Sequence, residues 1–221
     1  MSISNADEHL YFDVMDEVGG YDYLLSDSSI NTSVDFTFDT HVLIESDTSA
    51  WPQDGGDVFY LLSGNRHLNL IGGSTNPVNE YDPNTNNGIA FGLERVDPDD
   101  AENLNAKPMV SVFRGAPGGG DTQLTEIVDD TLTDVQIVPG TWAHVTYSCD
   151  AESNTLYLYV NGTLTRKYNT SGLQFWDHRF YIQSGLAGPG YRGKSRLQDM
   201  RITSLTHTTN FLSPTTLPTI T

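Results

Sequence analysis

The sequence has one cysteine, only 11 basic residues and no long apolar run, and each shortage excludes a class of protein. Because Cys149 is alone, an intramolecular disulfide is impossible, and the chain is not a disulfide-stabilised scaffold. No stretch approaches the ~18 apolar residues of a membrane-spanning helix. The residues after Met1 lack the basic and apolar regions of a secretory signal. We therefore expect a protein that is made in a cytoplasm and has no membrane partner.

The shortage of basic residues leaves a strongly acidic chain. The 29 Asp and Glu residues outnumber the 11 Lys and Arg residues, and the formal net charge at pH 7 is −18. A surface of that sign repels nucleic acid, so no nucleic-acid partner is expected. Charged residues are nevertheless only 18% of the chain, and much of the remaining polarity comes from Ser, Thr, Asn and Gly. This composition is typical of loops between β-strands.

Alternation of apolar and polar residues predicts β-strands along most of the chain. The clearest run is Val34–Ile44, in which Phe36, Phe38 and Val42 share one face while Asp39 and its alternating neighbours share the other. A period of two over eleven residues predicts a long strand with one face in the core and the other mostly in water.

Residues 140–162 predict two strands that are joined by a polar turn and closed by a second, tight turn. Trp142–Cys149 and Leu156–Val160 alternate as strands do, and Asn161-Gly162 supplies the two positive-φ positions of a type I′ turn. Cys149 falls on the inward face and is expected to be a small buried hydrophobe. His144 is expected to form a hydrogen bond across the strands.

The remaining pattern predicts an all-β protein, a two-sheet antiparallel β-sandwich of jelly-roll type. We divide it into residues 1–32, an N-terminal arm and first strand; residues 33–210, the sandwich; and residues 211–221, an extended tail. The one helical turn is predicted near Asp99–Asn105. Further strands are predicted at Leu10–Met15, Val58–Leu62, His67–Ile71, Ile89–Leu93, Val110–Phe113, Val135–Val138, Leu164–Tyr168, Arg179–Gln183 and Leu197–Thr203.

Three blocks resemble the laminin-G-like, concanavalin-A-like lectin and glucanase jelly roll: Val34–Asp39, Trp142–Gly162 and Arg192–Thr203. A fourth block, Thr208–Pro214, resembles the ending of versions of this fold in tailed-phage virion proteins. The resemblance implies a concanavalin-A-like jelly roll that binds its ligand without turnover. It also implies a virion surface protein, either a capsid decoration or a host-attachment module such as a tail-fibre component. The implied partners are other virion proteins, host-surface glycan bound weakly, and further copies of the chain.

The alternative is a glycan-acting enzyme or a free lectin of the same fold, since this fold also houses glycoside hydrolases. A retaining hydrolase needs two carboxylates about 5–5.5 Å apart. The nearest pairs in the sequence are Glu126 with Asp129, which fall on opposite faces of an ideal strand, and Asp13 with Glu17. Because neither pair is convincing, we predict no catalytic residue and no enzyme.

Aromatic residues near predicted loops are the candidates for carbohydrate binding, because sugars stack on rings beside amide and carboxylate groups. The chosen residues are Trp51, Tyr81, Asp82, Trp176 and Tyr191.

A cluster of carboxylates in one short loop is the candidate for a metal site, with Ca²⁺ as the only candidate cofactor, because Ca²⁺ takes oxygen ligands. A turn with Asp54 and Asp57 is a second candidate. Many laminin-G-like domains hold calcium through an Asp, but no such residue can be aligned here, and Gln198 stands where an acidic residue is frequent. The chosen loop residues are Asp97, Asp99, Asp100 and Glu102.

Overall fold

The computed structural model describes residues 35–46, 51, 58–64, 88–113, 121–123, 125–171, 177–178, 180–182, 195–203 and 206–212, together with the backbone of four short strands between residues 2 and 31. These residues contain strands, turns and bends but no helix, which confirms the all-β class. The helical turn predicted near Asp99–Asn105 is therefore wrong, because this stretch forms turns and irregular backbone. The described residues include no helix of the length and apolar character that crossing a membrane requires.

Two antiparallel sheets form the sandwich, which confirms the predicted architecture, and a two-stranded ladder of β4 (Ile30–Asn31) and β14 (Asp177–His178) accompanies them. The larger sheet has the order β1 (Ser2–Ser4), β2 (His9–Phe12), β16 (Ser195–Thr203), β5 (Phe36–Ile44), β11 (Trp142–Asp150), β12 (Thr155–Val160), β13 (Thr163–Asn169) and β10 (Thr125–Glu126). The smaller sheet has the order β3 (Leu24–Leu25), β15 (Phe180–Ile182), β6 (Val58–Gly64), β7 (Gly88–Arg95), β8 (Ala106–Phe113) and β9 (Asp121–Gln123).

The core lies between the two sheets and is built from the faces that the alternation predicts. Phe38 on β5 and Tyr147 on β11 stack with ring centroids 5.7 Å apart. Phe91 on β7 contacts both rings from the smaller sheet, at 5.7 Å and 5.1 Å. All three side chains have no exposed surface. Burying aromatic rings against one another in this way supplies much of the apolar burial that holds the sheets together.

The outer face of the larger sheet is also buried along β5 and β11, and here the prediction of a mostly wet face is wrong. All nine residues of β5 are buried, including Asp39 and His41 on the side away from the core. Residues 206–212 lie against this side, since Phe211 meets His144 edge-on at 6.4 Å and the His207 amide donates to Ser148 Oγ at 2.7 Å. Alternation shows which residues share a face, but it does not show whether another segment covers that face.

The two strands predicted within residues 140–162 form the β11–β12 hairpin, and the Asn161-Gly162 turn that follows joins β12 to β13, as predicted. Asn161 and Gly162 have φ values of 51° and 75°, as a type I′ turn requires. The side-chain oxygen of Asn161 accepts a hydrogen bond from the His144 amide at 2.9 Å, so the turn is also tied to the start of β11. Cys149 is buried as expected, and burial raises the pKa of its thiol to about 12.

Several predicted boundaries change. Val135–Val138 is not a strand, because Ile137 makes only an isolated bridge to Ala106. The short strands β9 and β10 at the sandwich edge were not predicted, and the predicted strand His67–Ile71 lies outside the described residues. Phe211, predicted to begin an extended tail, packs on the sandwich: its ring centroid lies 5.0 Å from that of Tyr159.

Candidate functional site

Only one of the residues predicted to bind carbohydrate lies within the described part of the chain. Trp51 belongs to the hydrophobic core and is 4% exposed, so its ring is not available to stack on a sugar. Its selection was therefore wrong: proximity to a predicted loop says little about an indole, which is most often buried. Tyr81, Asp82, Trp176 and Tyr191 lie outside the described residues and stay predictions.

The acidic loop after β7 uses two of its carboxylates to hold its own backbone. Asp97 Oδ1 accepts a hydrogen bond from the Asp99 amide at 3.2 Å, and Asp100 Oδ1 accepts one from the Glu102 amide at 3.0 Å. The guanidinium of Arg95 donates to the carbonyl oxygen of Asp100, and to that of Asn103 at 3.2 Å. The contacts of the Asp97 and Asp100 carboxylates with backbone amides two residues further on are the Asx turns that Asp favours in loops.

The four acidic residues of this loop do not converge on one point. Across the described residues, no three His, Cys, Asp or Glu side chains come together in a way that could hold a metal ion. Asp54 and Asp57 lie outside the described part. Calcium binding stays a prediction, and melting curves in millimolar Ca²⁺ and in EDTA test it, because a site present only in the folded state raises Tm.

The carboxylates near β10 and β13 are each placed beside a cation. Arg166 Nη1 donates to Glu94 Oε1 at 2.7 Å, and Arg166 Nε lies 3.7 Å from Glu126 Oε1. Lys167 Nζ donates to Asp129 Oδ2 at 2.7 Å, and this bond is the largest of the causes that lower the pKa of Asp129 to about 2. A general acid needs a raised pKa, so Asp129 cannot serve as one near neutral pH.

The sequence reasoning missed a group of five ionisable side chains on the outer face of the larger sheet, which we call the histidine cluster. It consists of Asp39 and His41 on β5, His144 on β11, and Asp199 and Arg201 on β16. The two imidazole rings lie 4.8 Å apart, and His41 and His144 are directly opposite each other in the β5–β11 register. Each has 1% of its surface exposed, which is rare for ionisable residues.

Asp39 joins the three strands of the cluster. Its Oδ1 lies 3.1 Å from His144 Nε2 and accepts hydrogen bonds from Arg201 Nε at 3.0 Å and from Arg201 Nη2 at 2.6 Å. Burial would raise the pKa of Asp39, but the hydrogen bonds of His144 and Arg201 outweigh it and hold this pKa below its ordinary value. The expectation that His144 bonds across the strands is therefore confirmed.

His41 is the least satisfied member of the cluster. Neither of its ring nitrogens has a hydrogen-bond partner among the described residues, and its Nδ1 lies 3.6 Å from Asp199 Oδ2. Burial lowers the pKa of His41, and the neighbouring His144 and Arg201 lower it further, against the opposing effect of Asp199 and Asp39. The cluster therefore places the neutral ring of His41 beside the carboxylate of Asp199, which can form an ion pair with the ring when it is protonated.

A bulge in β16 brings Asp199 and Arg201 to the cluster. The register against β5 shifts between Gln198 and Arg201, and Asp199 has a φ of 53°. A bulge re-aims the side chains beside it. The sequence signal for this feature is weak, because Gln198–Arg201 interrupts the alternation of the closing strand without a glycine.

The C-terminal strap, residues 206–212, lies against the cluster and the neighbouring hairpin. The Tyr159 hydroxyl donates to the His207 carbonyl at 2.6 Å, and the His207 amide donates to Ser148 Oγ at 2.7 Å. The Leu164 amide donates to Asn210 Oδ1 at 2.8 Å, and the Phe211 amide donates to the carbonyl oxygen of the turn glycine at 3.0 Å. Backbone and side-chain bonds from three strands thus position this segment.

The fold and the sequence together define a jelly-roll domain of the lectin and glucanase type. The profile of the concanavalin A-like lectin/glucanases superfamily matches residues 84–209, more than half of the chain. The chain belongs to this superfamily. A search of curated protein sequences gives no significant match.

Solved structures share the fold at low sequence identity. A native heptameric SAP-like pentraxin from Limulus polyphemus superposes with a TM-score of 0.55 and 12% identity, over 95% of this chain and 81% of the pentraxin. The ligand binding domain of Botulinum neurotoxin serotype D, in complex with N-acetylneuraminic acid, gives 0.41 and 11%, over 85% of this chain and 37% of the toxin chain. Trypanosoma rangeli sialidase gives 0.42 and 14%, over 79% of this chain and 21% of the sialidase. At 12% identity, the likeness to the pentraxin establishes the fold alone.

Proposed function

We propose that the chain is a non-catalytic binding module that takes carbohydrate at the loops of the sandwich. The observation that carries the proposal is that β5 and β11, at the centre of the larger sheet, are buried on both faces. A cleft for a polysaccharide across the larger sheet needs an open face at these central strands, so their burial favours ligand contact at the loops. Loops on a rigid scaffold are where binding functions concentrate. Membership of a superfamily of lectins and glucanases supports carbohydrate as the ligand class.

Binding without turnover is supported by the placement of three of the described carboxylates. Asp39, Glu94 and Asp129 each accept a close hydrogen bond from a cationic side chain or lie beside one. Ion pairing favours the charged form of a carboxylate, whereas an acid catalyst of glycoside cleavage has to keep its proton near neutral pH.

A glycan array with the purified chain tests the proposal. Trp176→Ala and Tyr191→Ala remove two predicted stacking rings, and Tyr157→Ala is the control, a half-buried tyrosine on the hairpin outside the predicted set. Stacking on one aromatic ring is worth about 1 kcal/mol, so each loop variant should lose roughly fivefold or more in affinity while the control binds normally. Equal binding by all variants contradicts the loop site, and release of reducing sugar from a bound polysaccharide supports the enzyme alternative.

We further propose that the module acts on the surface of a tailed-phage virion, as a capsid decoration or a host-attachment component. The resemblance of Thr208–Pro214 to phage virion proteins and the net charge of −18 support this location. Many copies on one particle would turn weak glycan contacts into a strong one through avidity. Immunogold labelling of purified particles with an antibody against the chain tests the location, and unlabelled particles would contradict it.

Association of the chain with itself belongs to the same proposal. A stable contact between copies buries about 1,200–2,000 Å². Light scattering of the purified chain at several salt concentrations tests it, because a net charge of −18 opposes association at low salt.

A further inference from the structure

We propose that the histidine cluster is an acid-sensitive latch for the C-terminal strap: protonation of His41 releases residues 206–212 from the larger sheet while the sandwich stays folded. The inference goes beyond the proposed function and does not depend on it. It rests on the geometry of the cluster, on the contacts of the strap, and on the way the two are joined.

The latch begins with a buried imidazole that lies near a carboxylate without forming a hydrogen bond to it. His41 is 1% exposed and has no hydrogen-bond partner among the described residues, yet a carboxylate oxygen of Asp199 lies 3.6 Å from its Nδ1. A neutral ring tolerates this arrangement. A charged ring needs a closer contact with Asp199 and more distance from His144 and Arg201, because burying an uncompensated charge is costly.

Two routes connect that change to the strap. The first runs through the rings: His41 lies 4.8 Å from His144, and His144 meets Phe211 of the strap edge-on at 6.4 Å. The second runs through the chain, because Asp199 sits in the bulge of β16, and β16 ends at Thr203, just before the strap. Movement of His41 towards Asp199 therefore changes the position of His144, whose ring contacts Phe211, and that of β16, which leads into the strap.

Detaching the strap from this surface requires less free energy than separating the strands beneath it. It makes four hydrogen bonds to the strands and turns beneath it, and its last described residue, Leu212, is 96% exposed. The strands below are held by continuous ladders on both sides. Segments with few buried contacts open well below the global unfolding free energy.

The direction of the effect follows from the charges that face His41. On β5 there is Asp39, on β11 His144, and on β16 Asp199 and Arg201. The titratable group of the strap, His207, stacks on Phe211 with ring centroids 4.2 Å apart. Burial, His144 and Arg201 together lower the pKa of His41 below the 6.5 of a free imidazole. Release of the strap from His144 lets the charged ring move away from His144 and Arg201 towards Asp199, so the pKa of His41 is higher in the released state than in the attached state. The attached state then binds fewer protons, and attachment is favoured above pH 6.5 and weakens as the pH falls through the lowered pKa. Each unit of difference between the two pKa values changes the attachment equilibrium tenfold.

Asp39 titrates in a separate, more acidic window. Its pKa is held below 3.8 in the folded chain, so its contribution to stability is lost only as the pH falls below that value. Release of the strap by His41 should therefore precede the loss of the Asp39 ion pairs.

A nitroxide on Leu212→Cys reports the strap directly, because the native Cys149 is buried with a thiol pKa of about 12 and should not react. Electron paramagnetic resonance spectra and far-ultraviolet circular dichroism are recorded on the full chain between pH 7.5 and 4.5. We expect the mobile fraction of the label to rise below pH 6.5 with an unchanged dichroism spectrum. His41→Gln should abolish the rise, and His207→Gln, a change in the strap itself, should retain it.

Three results would overturn the latch. They are a label whose mobility is the same at pH 7.5 and 4.5, a rise that coincides with loss of the dichroism signal, and a rise that persists in His41→Gln or disappears in His207→Gln. If His41→Gln fails to fold, Asp199→Asn decides the matter, since Asp199 is half exposed and only supports the charged form. It should move the midpoint to lower pH, and an unchanged midpoint rules out His41 as the trigger.

Discussion

The hydroxyl of Tyr147 on β11 donates a hydrogen bond to the carbonyl oxygen of Gly92 on β7, with an oxygen–oxygen distance of 2.5 Å. This bond joins the two sheets at the centre of an otherwise apolar core, and Tyr147 has no exposed surface. Burial raises the pKa of the Tyr147 hydroxyl well above its ordinary value, so the group stays a neutral donor at any working pH. This directional contact favours a single alignment of the two sheets.

We expect Tyr147→Phe to lower the free energy of unfolding by about 1–3 kcal/mol, because it leaves the buried Gly92 carbonyl without this donor while the ring still fills its space. Urea unfolding followed by circular dichroism measures the change. Tyr157 is a half-buried residue on β12, on the face that points away from the core. Tyr157→Phe should therefore lower the free energy of unfolding by less than Tyr147→Phe does. An equal loss in both variants would show that the inter-sheet bond has no special weight.

The sequence predicts the sandwich well because its alternation and its turn chemistry are local properties. Phe36, Phe38 and Val42 share the core face of β5 as predicted, and Asn161-Gly162 forms the tight turn from β12 to β13. The histidine cluster could not be predicted in the same way. His41 is in the position that the alternation assigns to it, but its burial depends on what covers that face of the sheet, and Arg201 reaches Asp39 because a bulge shifts the register of β16.

Candidate binding residues were harder to predict than the fold, for a physical reason. Trp51 has the aromatic ring that stacking on a sugar requires. The same indole is equally suited to burial among apolar side chains, and it lies in the hydrophobic core. Asp97 and Asp100 have the carboxylate oxygens that Ca²⁺ prefers as ligands. The same oxygens accept hydrogen bonds from the backbone of their own loop and stabilise its turns. Residue type alone does not separate these roles, because both use the same functional groups.

We expect Phe38→Ala to destabilise the chain by about 3–5 kcal/mol, through lost burial and the cavity that remains. Phe38 is fully buried between Phe91 and Tyr147, so no solvent can fill the space without contacting apolar rings. Thermal unfolding measures the loss. A decrease below 1 kcal/mol would mean that the two sheets do not pack on this residue as described.

We expect Arg166→Met to destabilise the chain by about 1–3 kcal/mol, because Arg166 on β13 is an ionic link to Glu94 on β7 in the opposite sheet. Without it, Lys107 Nζ, 3.5 Å from Glu94 Oε1, is the cation that stays beside this carboxylate among the described residues. Lys167→Met is the matched control: it removes the same charge, but its partner Asp129 lies in the exposed loop after β10, where an ion pair contributes little. Equal melting temperatures for the two variants would contradict a particular role for the inter-sheet pair.

Two truncations separate the strap from the residues that follow it. A chain that ends at Leu212 keeps every contact of Phe211 and Asn210 with the sandwich, so we expect it to melt with the full-length chain. A chain that ends at Thr203 exposes Tyr159 and loses four hydrogen bonds, and it should lose about 2–4 kcal/mol.

The chain that ends at Leu212 also tests whether residues 213–221 form an assembly arm on a virion. If these residues make the contact with neighbouring proteins, the chain that ends at Leu212 should fold and bind glycan normally but fail to enter particles. If that chain is incorporated as efficiently as the full-length chain, the contact lies elsewhere on the sandwich, and its loops become the surface to change next. A lower melting temperature for this chain would contradict the strap boundary itself, because it would mean that residues after Leu212 stabilise the fold.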